Sequence, residues 1–499
     1  MFQKLLVANR GEIAIRILRT CRNLGIKTVA IYEPEDRGSL HVRLADECVM
    51  LESDNGYYDQ AAILRVAIDH EVQAIHPGYG YLAEQAGFAR ACEASHITWV
   101  GPDSSILGKL ENRLNVLQQV RTGGFLTPAF SNASFGIDEW DTLTQEAKCL
   151  GFPLLVKFCK SSLQRSSWEV SSADELGDVQ LRVANELADG PGQQKVFLQQ
   201  VIEPTHLIRV QVLGDCHGNL FHLGERDGSL LYSDCTLIEE SPAPCLTPLQ
   251  REQLCKQAIA IARLFDFQNA GTVEFLVHED GQAYFVEIKP GLLAGHPVHE
   301  WLSGVDLVAE QIRSAANERL RYQQADIMLR GWSMQSCIHA VDPSREFLPA
   351  PGHLRRVRLP GGPFVRVDAL INSDFDVLPR FDTLLAKLIV WGTDRSQCLD
   401  RLRTALREFS VIGIPTDLSI HLKLLENMRF CQGSYTTGLL CNVLTENDRE
   451  MLQDEFETYQ RDLAVAAALN YLQRRMASKP VLPERILTVW HRESRRFPR

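Results

Sequence analysis

Residues 270–298 read AGTVEFLVHEDGQAYFVEIKPGLLAGHPV, in which two apolar runs flank the turn sequence HEDG at 278–281. The pattern predicts a β-hairpin that carries Glu274 on its first strand and Glu287 on its second. A carboxylate buried among Val, Phe and Ile is costly unless a cation or a hydrogen-bond donor partners it. Two of them on paired strands therefore indicate a divalent metal that holds phosphates, while two edge-strand glutamates facing water are the simpler alternative.

Motifs on both sides of this hairpin resemble those of biotin carboxylases, the ATP- and bicarbonate-dependent subunits of biotin-dependent carboxylases. The matching segments are KLLVANRGEIAIRILRTCRNLGIKTVAIYE at 4–33, AIHPGYGYLAE at 74–84, GERDGSL at 224–230, EESPAP at 239–244 and PGGP at 360–363. The resemblance runs nearly without gaps from about residue 1 to about residue 445. It implies an α/β fold in which an N-terminal parallel α/β domain precedes an ATP-grasp lid and central domain and a mixed α/β C-terminal domain.

The resemblance also suggests where the domains begin and end. We expect an N-terminal α/β domain at 1–112, an ATP-grasp domain at 113–330 with its lid at about 128–201, a C-terminal domain at 331–445, and a helical extension with a basic tail at 446–499. In the extension, apolar residues recur at helical spacing from Leu452 to Tyr471. This apolar stripe is expected to dock on a partner subunit or to pack against its own domain.

Part of the family's nucleotide site is retained under this resemblance. The retained positions are Arg113, Lys157, Gln200 and Ile202 for the nucleotide and Glu274 and Glu287 for magnesium. Arg113 keeps the charge of a phosphate-binding lysine but changes its geometry. Main-chain groups of Gln200 and Ile202 correspond to the adenine hinge, a contact that needs no particular side chain.

Three other positions weaken the expected nucleotide site. The family's ribose-contacting histidine falls on Leu207, while His206, one residue earlier, should point to the opposite face of the strand. The next acidic position is Arg209, which reverses a charge that faces the cleft. Lys289 replaces a family asparagine and should share a face with Glu287, so its ammonium would take the metal's place in a buried ion pair. We therefore expect ATP with magnesium to bind only weakly.

The lid and the bicarbonate site depart from the family pattern in the same way. The glycine run of the family's lid is replaced by KSSLQRSSW at 160–168, where Leu163 and Trp168 are expected to crowd a triphosphate. The His-Gln-Lys triplet whose lysine helps to hold bicarbonate falls on DCT at 234–236. A negative Asp234 is expected to repel bicarbonate.

The groups that move protons and stabilise charge in the family are also missing. Its anion-orienting arginine and general-base glutamate fall on Gly291 and Gly295, which have no group to accept or donate a proton. The arginine that stabilises the biotin enolate falls on Cys337, and a thiol cannot replace a permanently charged, bidentate guanidinium. Because electrostatic stabilisation is usually the largest catalytic contribution, we assign no catalytic residue.

The composition excludes several classes of protein. The 499 residues carry a formal net charge of −11, which gives no general attraction to nucleic acid or anionic lipid. No apolar run reaches membrane-spanning length and the N-terminus lacks a signal-peptide pattern, so we expect a cytoplasmic protein without a membrane partner. The 13 cysteines show no C-x-x-C spacing, which argues against a zinc site and against a disulfide framework.

Three interpretations of function follow. The first is a structural or regulatory subunit of an acyl-CoA carboxylase system, degenerate in biotin carboxylation. The second is an active biotin carboxylase or related ATP-grasp ligase, and the third is a nucleotide sensor without turnover. No Met-Lys-Met biotin-attachment motif occurs, so biotin is expected only on a separate carrier protein. The expected assembly is a homodimer or a hetero-oligomer with carboxylase subunits.

Overall fold

The computed structural model describes residues 1–160, 167–188, 195–232 and 235–440, together with residues 461, 464–469 and 471. It divides into two compact units, the first formed by Met1–Asp342 with Leu348–Val443 and the second by Pro343–Phe347 with Leu444–Arg499. The fold and the candidate site described below belong to the first unit. No helix within the described residues is long and apolar enough to cross a membrane.

Part of the predicted helical extension lies in the described residues of the second unit. Residues 461, 464–469 and 471 are helical, and a short 3₁₀ turn covers Pro343–Arg345. The other apolar positions of the predicted stripe lie outside the described residues, among them Leu452, Phe456, Tyr459 and Leu463. Docking of this stripe on a partner therefore stays a prediction.

The chain begins with a five-stranded parallel sheet whose strands alternate with helices. The elements are β1 (Lys4–Val7), α1 (Gly11–Asn23), β2 (Lys27–Tyr32), α2 (Leu40–Leu44), β3 (Glu47–Met50), α3 (Gln60–Asp69), β4 (Ala74–His76), α4 (Ala86–Ala94), β5 (Thr98–Trp99), α5 (Ser104–Leu110) and α6 (Arg113–Thr122). The strand order is β3-β2-β1-β4-β5, and every neighbouring pair is parallel. The predicted parallel βαβ region is confirmed, and its apolar strands β1, β2 and β4 are largely buried, as such sheets require.

The lid is a small antiparallel sheet covered by two helices. Its elements are α7 (Trp140–Leu150), β6 (Leu154–Phe158), β7 (Ser167–Val170), α8 (Leu176–Ala188) and β8 (Val196–Gln200). The strand order is β7-β6-β8. Trp168 on β7 packs edge-on against Phe158 on β6, with ring centroids 5.3 Å apart, inside the apolar core of the lid.

One long antiparallel sheet follows the lid, with helices packed on it and small strand pairs beside it. The elements are β9 (Thr205–Gly214), β10 (Leu220–Tyr232), β11 (Cys235–Ser241), α9 (Pro248–Leu264), β12 (Asn269–His278), β13 (Ala283–Pro290), α10 (His296–Ser303), α11 (Leu307–Ala315), β14 (Trp332–His339), β15 (Val341–Asp342), β16 (Leu348–Pro349), β17 (Gly352–Leu354), β18 (Arg356–Arg358), β19 (Val365–Ala369), β20 (Phe375–Val377), β21 (Leu384–Gly392), α12 (Arg395–Glu408), β22 (Ser410–Ile412), α13 (Leu418–Leu424) and α14 (Met428–Gln432).

The long sheet continues across the boundary expected near residue 330. Its eight strands lie in the order β13-β12-β9-β10-β11-β14-β21-β19. Strands β9 to β13 precede that residue in the chain, and β14, β19 and β21 follow it. The ATP-grasp and C-terminal segments therefore share one layer of backbone hydrogen bonds, which places side chains from both segments on a common surface.

Local sequence signals set where two helices begin. The Asn112 side chain accepts a hydrogen bond from the Asn115 N–H and caps α6, which makes Arg113 its first helical residue. The Thr247 side chain accepts from the Gln250 N–H in a capping box, and Pro248 occupies the first position of α9. The cap at Asn112 directs Arg113 toward the hairpin of β12 and β13, where it contacts Glu287.

The hairpin predicted from the sequence is confirmed. Glu274 on β12 lies directly opposite Glu287 on β13, and a β-bulge follows Glu274. On the other side of β12, Glu274 lies opposite Arg209 of β9. Two carboxylates and one guanidinium therefore form a row across three adjacent strands.

Candidate functional site

A cavity of about 400 Å³ lies between the lid strands and the long sheet. The charged side chains that line it are Arg113, Lys157, Arg209, Glu239, Glu274, Glu287, Lys289 and Asp382. Four of the six residues predicted for the nucleotide and metal site border this cavity, namely Arg113, Lys157, Glu274 and Glu287. The sequence therefore located the main polar surface of the cleft.

Glu287 is in contact with two cations of the chain. Its Oε2 lies 3.2 Å from Nε of Arg113, and its Oε1 is paired with Nζ of Lys289. Burial opposes ionisation of Glu287, yet Arg113, Lys289 and Lys157 hold the pKa of its carboxyl below the ordinary value. The Glu287 carboxylate is thus ionised, and cationic side chains of the protein balance its charge. Its ion pair with Lys289 is the one expected from the sequence.

Glu274 has a different cationic partner. Its Oε1 accepts a hydrogen bond from Nε of Arg209 at 2.8 Å. Nη1 of the same guanidinium donates to Thr236 Oγ1 at 2.9 Å and to Glu239 Oε1 at 2.6 Å. Arg209 therefore reaches from a metal-ligand position to Thr236, the position that carries the bicarbonate lysine in the family.

Glu239 connects this network to a second, fully buried arginine. Nε of Arg226 lies 3.1 Å from Glu239 Oε1, and neither side chain is exposed to solvent by more than 4%. Burial opposes ionisation of Glu239, but Arg226 and Arg209 lower the pKa of its carboxyl. Sequence reasoning missed both residues, although they stand in the segments GERDGSL and EESPAP that carried the resemblance.

Lys157 projects from β6 into the cavity. Its Nζ lies 3.4 Å from Oε1 of Gln199. Burial lowers the pKa of Lys157 to about 8; Glu287 opposes this shift, and Arg113 and Lys289 add to it. The buried site thus favours the neutral amine of Lys157 more than water does. An anionic ligand would stabilise the charged ammonium form.

The two residues of the predicted adenine hinge, Gln200 and Ile202, do not border the cavity. The N–H of Gln200 donates to the carbonyl of Ala129 at 2.7 Å, and the carbonyl of Ile202 accepts from the Thr205 hydroxyl at 3.2 Å. Neither Gln200 nor Ile202 is among the residues that border the cavity. The structure therefore does not bring these two residues together with the phosphate and metal positions, and their role stays a prediction.

The position of the family's general base is filled by another residue. A Cβ built on Gly295 would overlap the Glu239 carboxylate and lie 2.7 Å from Nε of Arg226. Gly295 precedes α10 with a φ of −78°, a conformation that any residue adopts. The lack of a side chain at this position thus makes room for Glu239 rather than leaving an empty space.

Cys337 lies among buried polar groups of the long sheet. Burial raises the pKa of its thiol, and Gln335 Nε2 donates to its sulfur at 3.3 Å. Directly across the ladder stands Lys387, which is fully buried and pairs with Glu12 at 3.0 Å. Sequence reasoning missed Lys387, whose strand, LLAKLIVWG, reads as a simple apolar core strand.

Two histidines, in the segments HPGYG and GHPVHEW, are buried. Nδ1 of His76 accepts from the Gly78 N–H at 3.0 Å, and burial lowers the pKa of His76 to about 3. Nδ1 of His296 lies 2.9 Å from the Leu293 carbonyl, and burial lowers its pKa well below the ordinary value. Both contacts are those of turns within the fold.

One prediction about the lid is wrong. Trp168 does not face the cleft, because its ring is 3% exposed and packs in the lid core, while its neighbour Ser167 borders the cavity. Strand residues alternate between faces, so the phase of β7 decides which side chain reaches a ligand. Leu163 and Asp234, which were expected to hinder phosphate and bicarbonate, lie outside the described residues.

Three family models match the chain in succession. They are "Biotin carboxylase, N-terminal domain" at residues 1–107, "Carbamoyl-phosphate synthase L chain, ATP binding domain" at 126–323 and "Biotin carboxylase C-terminal domain" at 335–442.

Curated proteins similar to the chain include a biotin carboxylase from a Nostoc species, 38% identical over 443 residues, which cover 88% of this chain and 98% of the relative. Biotin carboxylase 1 from Bacillus subtilis is 36% identical over 445 residues, covering 88% of this chain and 98% of that protein.

Among solved structures, the biotin carboxylase domain dimer of the Hydrogenobacter thermophilus 2-oxoglutarate carboxylase, in complex with MgADP, ADP and bicarbonate, has a TM-score of 0.85. It is 36% identical, and the match covers 89% of this chain and 99% of that one. A biotin carboxylase from Campylobacter jejuni in complex with β,γ-ATP has a TM-score of 0.84 at 31% identity, covering 89% and 99% of the two chains.

Proposed function

This chain belongs to the biotin carboxylase family of biotin-dependent carboxylases, and we propose that it acts as a subunit whose own ATP-dependent carboxylation of biotin has been lost. Under this proposal it has a structural or regulatory role in a carboxylase assembly, as a homodimer or with other carboxylase subunits. Biotin would be supplied on a separate carrier protein. The named relatives are enzymes, so the proposal rests on the residues of this chain's own cleft.

The observation that carries the proposal is the internal pairing of the two hairpin carboxylates. Glu274 contacts Arg209, and Glu287 contacts Arg113 and Lys289. A magnesium ion bound to both carboxylates would stand close to these cations. Two like unit charges about 4 Å apart repel each other by about 4 kcal/mol at an effective dielectric constant of about 20. Magnesium therefore binds productively only if the cationic side chains move away.

Proton transfer is impaired for a separate reason. The carboxylate nearest to the family's general-base position is that of Glu239, which is held by the guanidinium groups of Arg209 and Arg226. Its lowered pKa makes it a weak base, and both hydrogen bonds to Oε1 restrain its orientation. This pairing supports the loss of bicarbonate activation independently of magnesium.

A second candidate function is nucleotide binding without turnover. The observation that favours it is the set of cations at the cavity, because Lys157 and Arg113 border a space of about 400 Å³ where phosphate oxygens would stabilise both charges. In this case ATP binds as the free anion, and magnesium weakens binding because it neutralises part of the phosphate charge.

The experiment that tests the proposal measures ADP release by the purified chain with ATP, magnesium, bicarbonate and free biotin. We expect no biotin-dependent ADP release above the rate without biotin. Calorimetric titration with ATP, with and without magnesium, then separates the two candidates. An absence of binding heat favours the subunit role, and binding that magnesium weakens favours the nucleotide sensor. The matched variant Lys157→Gln should abolish such binding.

Biotin-dependent ADP release by the chain alone contradicts the proposal. To exclude a contaminating carboxylase, the same assay is made with Glu274→Gln/Glu287→Gln protein purified in parallel. Activity that disappears in this double variant would show that the hairpin carboxylates still bind magnesium for catalysis.

A further inference from the structure

A histidine, an aspartate and a cysteine meet on the long sheet. His206 stands on β9, Asp227 on β10, and Cys245 in the connection between β11 and α9. His206 and the cavity-lining residue Leu207 are neighbours on one strand, so their side chains leave opposite faces of the sheet. His206 and Asp227 are buried and Cys245 is half-buried.

We propose that this cluster binds one Zn²⁺ ion through Nδ1 of His206, Oδ2 of Asp227 and Sγ of Cys245. A water molecule would complete a tetrahedral site. Nitrogen, carboxylate oxygen and thiolate are the zinc ligands used by proteins, and a thiolate selects against magnesium and calcium. The site is distinct from the cleft and from the hairpin carboxylates.

The distances between the ligand atoms suit a single small ion. His206 Nδ1 lies 3.3 Å from Asp227 Oδ2, and Cys245 Sγ lies 3.8 Å from the same oxygen. All three atoms lie within 4.8 Å of one another. Tetrahedral coordination with usual zinc bond lengths places nitrogen about 3.3 Å and sulfur about 3.5 Å from a carboxylate oxygen. The observed nitrogen–oxygen distance matches this geometry, and the observed sulfur–oxygen distance is about 0.3 Å longer.

Hydrogen bonds already orient the carboxylate of Asp227. Its Oδ1 accepts hydrogen bonds from the N–H and the hydroxyl of Ser229 at 2.8 and 2.5 Å. These bonds fix the carboxyl plane and leave Oδ2 directed at His206 and Cys245. Hydrogen bonds of this kind to the outer oxygen of a ligating carboxylate orient it for the metal.

Charge balance favours an ion at this buried position. Without a metal, the Cys245 thiol donates its hydrogen toward Oδ2 of Asp227. When zinc binds, the Zn–S bond replaces the S–H bond and the proton leaves to water. One Zn²⁺, one thiolate, one carboxylate and a neutral imidazole then sum to zero net charge, which limits the cost of burial.

The ion would connect two strands of the sheet to the segment that leads into α9. Such a connection stabilises the folded chain, because the ligands are 21 and 18 residues apart in sequence and come together only in the fold. The expectation against a zinc site rested on the absence of C-x-x-C pairs. That criterion detects only ligands that are close along the chain, whereas these three ligands are far apart.

The test begins with protein stripped by a chelator, dialysed, and titrated with zinc alone. We expect one zinc per chain by elemental analysis and a rise in the apparent melting temperature. Cobalt substituted for zinc should give thiolate-to-cobalt charge-transfer absorption. His206→Gln and Cys245→Ser should each weaken zinc binding at least tenfold. Cys245→Ser should also abolish the cobalt–thiolate band, and His206→Gln should abolish stoichiometric binding. Cys216→Ser, at an exposed cysteine in the turn between β9 and β10, serves as the matched control and should bind like the wild type.

Less than stoichiometric zinc in the wild type, equal binding by all three variants, or cobalt binding without a thiolate band would each overturn the proposal. Circular dichroism verifies that the variants are folded. If Cys245→Ser fails to fold, His206→Gln together with the cobalt spectrum of the wild type still decides the outcome.

Discussion

The Glu239 carboxylate occupies the space into which a side chain on Gly295 would extend. In the family this position carries the general base, and here the carboxylate of Glu239 lies beside it. This carboxylate is held by Arg209 and Arg226, which lower its pKa. Restoring glutamate at position 295 alone is thus expected to create an overlap and not an active site.

Gly295→Ala should lower the free energy of unfolding by about 1–3 kcal/mol, because the new methyl group overlaps the buried carboxylate. Urea denaturation followed by circular dichroism measures the change. Gly108→Ala is the matched control, since a Cβ on this exposed residue of α5 meets nothing within 4 Å. That control should be neutral or more stable by about 0.5–1 kcal/mol. Equal behaviour of the two variants would mean that the space beside Gly295 is open.

Lys157→Met should stabilise the protein at pH 7. Burial lowers the pKa of Lys157 to about 8, whereas a lysine in an unfolded chain titrates near about 10.4. Between these values the unfolded chain binds more protons, so wild-type stability rises with pH. The advantage of Lys157→Met should therefore be largest below pH 8 and shrink toward pH 10.

Urea denaturation of both proteins at pH 7, 8, 9 and 10 makes this comparison. Lys148→Met, on an exposed position of α7, is the control and should show no pH-dependent difference from the wild type. A Lys157→Met protein that is less stable than the wild type at pH 7 would indicate that Glu287 holds the ammonium more strongly than burial disfavours it.

Trp168→Ala should destabilise the lid by about 3–5 kcal/mol without improving ATP binding, since the ring packs on Phe158 and not in the cleft. Leu181→Ala, at a leucine of α8 that is 66% exposed, is the control and should have little effect. Thermal unfolding and calorimetric titration with ATP check both expectations. Tighter ATP binding by Trp168→Ala than by Leu181→Ala would show that the Trp168 ring lies in the cleft and obstructs ATP.

The fold was predictable from the sequence because its signals are local or lie in recognisable motifs. The hairpin of Glu274 and Glu287 follows from two apolar runs and a turn, and the motif order indicated the fold class that the solved relatives confirm. Lys289 could also be placed, since strand alternation puts it on the same face as Glu287. Arg209 was expected to face the cleft, but its pairing with Glu274 depends on the register of β9 against β12.

The rest of the site depends on contacts that sequence spacing does not contain. The space beside Gly295 is filled by Glu239, which comes from a distant part of the chain and is itself held by Arg226. The inward packing of Trp168 depends on where β7 begins, and a shift of one residue would have exchanged it with Ser167. Only the folded chain fixes these relationships.

Cations of the chain contact both Glu274 and Glu287, and metal occupancy of this position can be measured directly. Manganese is a paramagnetic substitute for magnesium, so the measurement is electron paramagnetic resonance of the metal-free protein titrated with Mn²⁺, with and without ATP. Lys289→Asn and Glu287→Gln are measured in parallel, because the first removes a competing cation and the second removes a ligand.

The wild type is predicted to show no Mn²⁺ binding that depends on Glu287, and Lys289→Asn is predicted to bind Mn²⁺ at least about tenfold more tightly, a difference of about 1.4 kcal/mol. One tightly bound Mn²⁺ in the wild type that is lost in Glu287→Gln would contradict the replacement of magnesium by these cations.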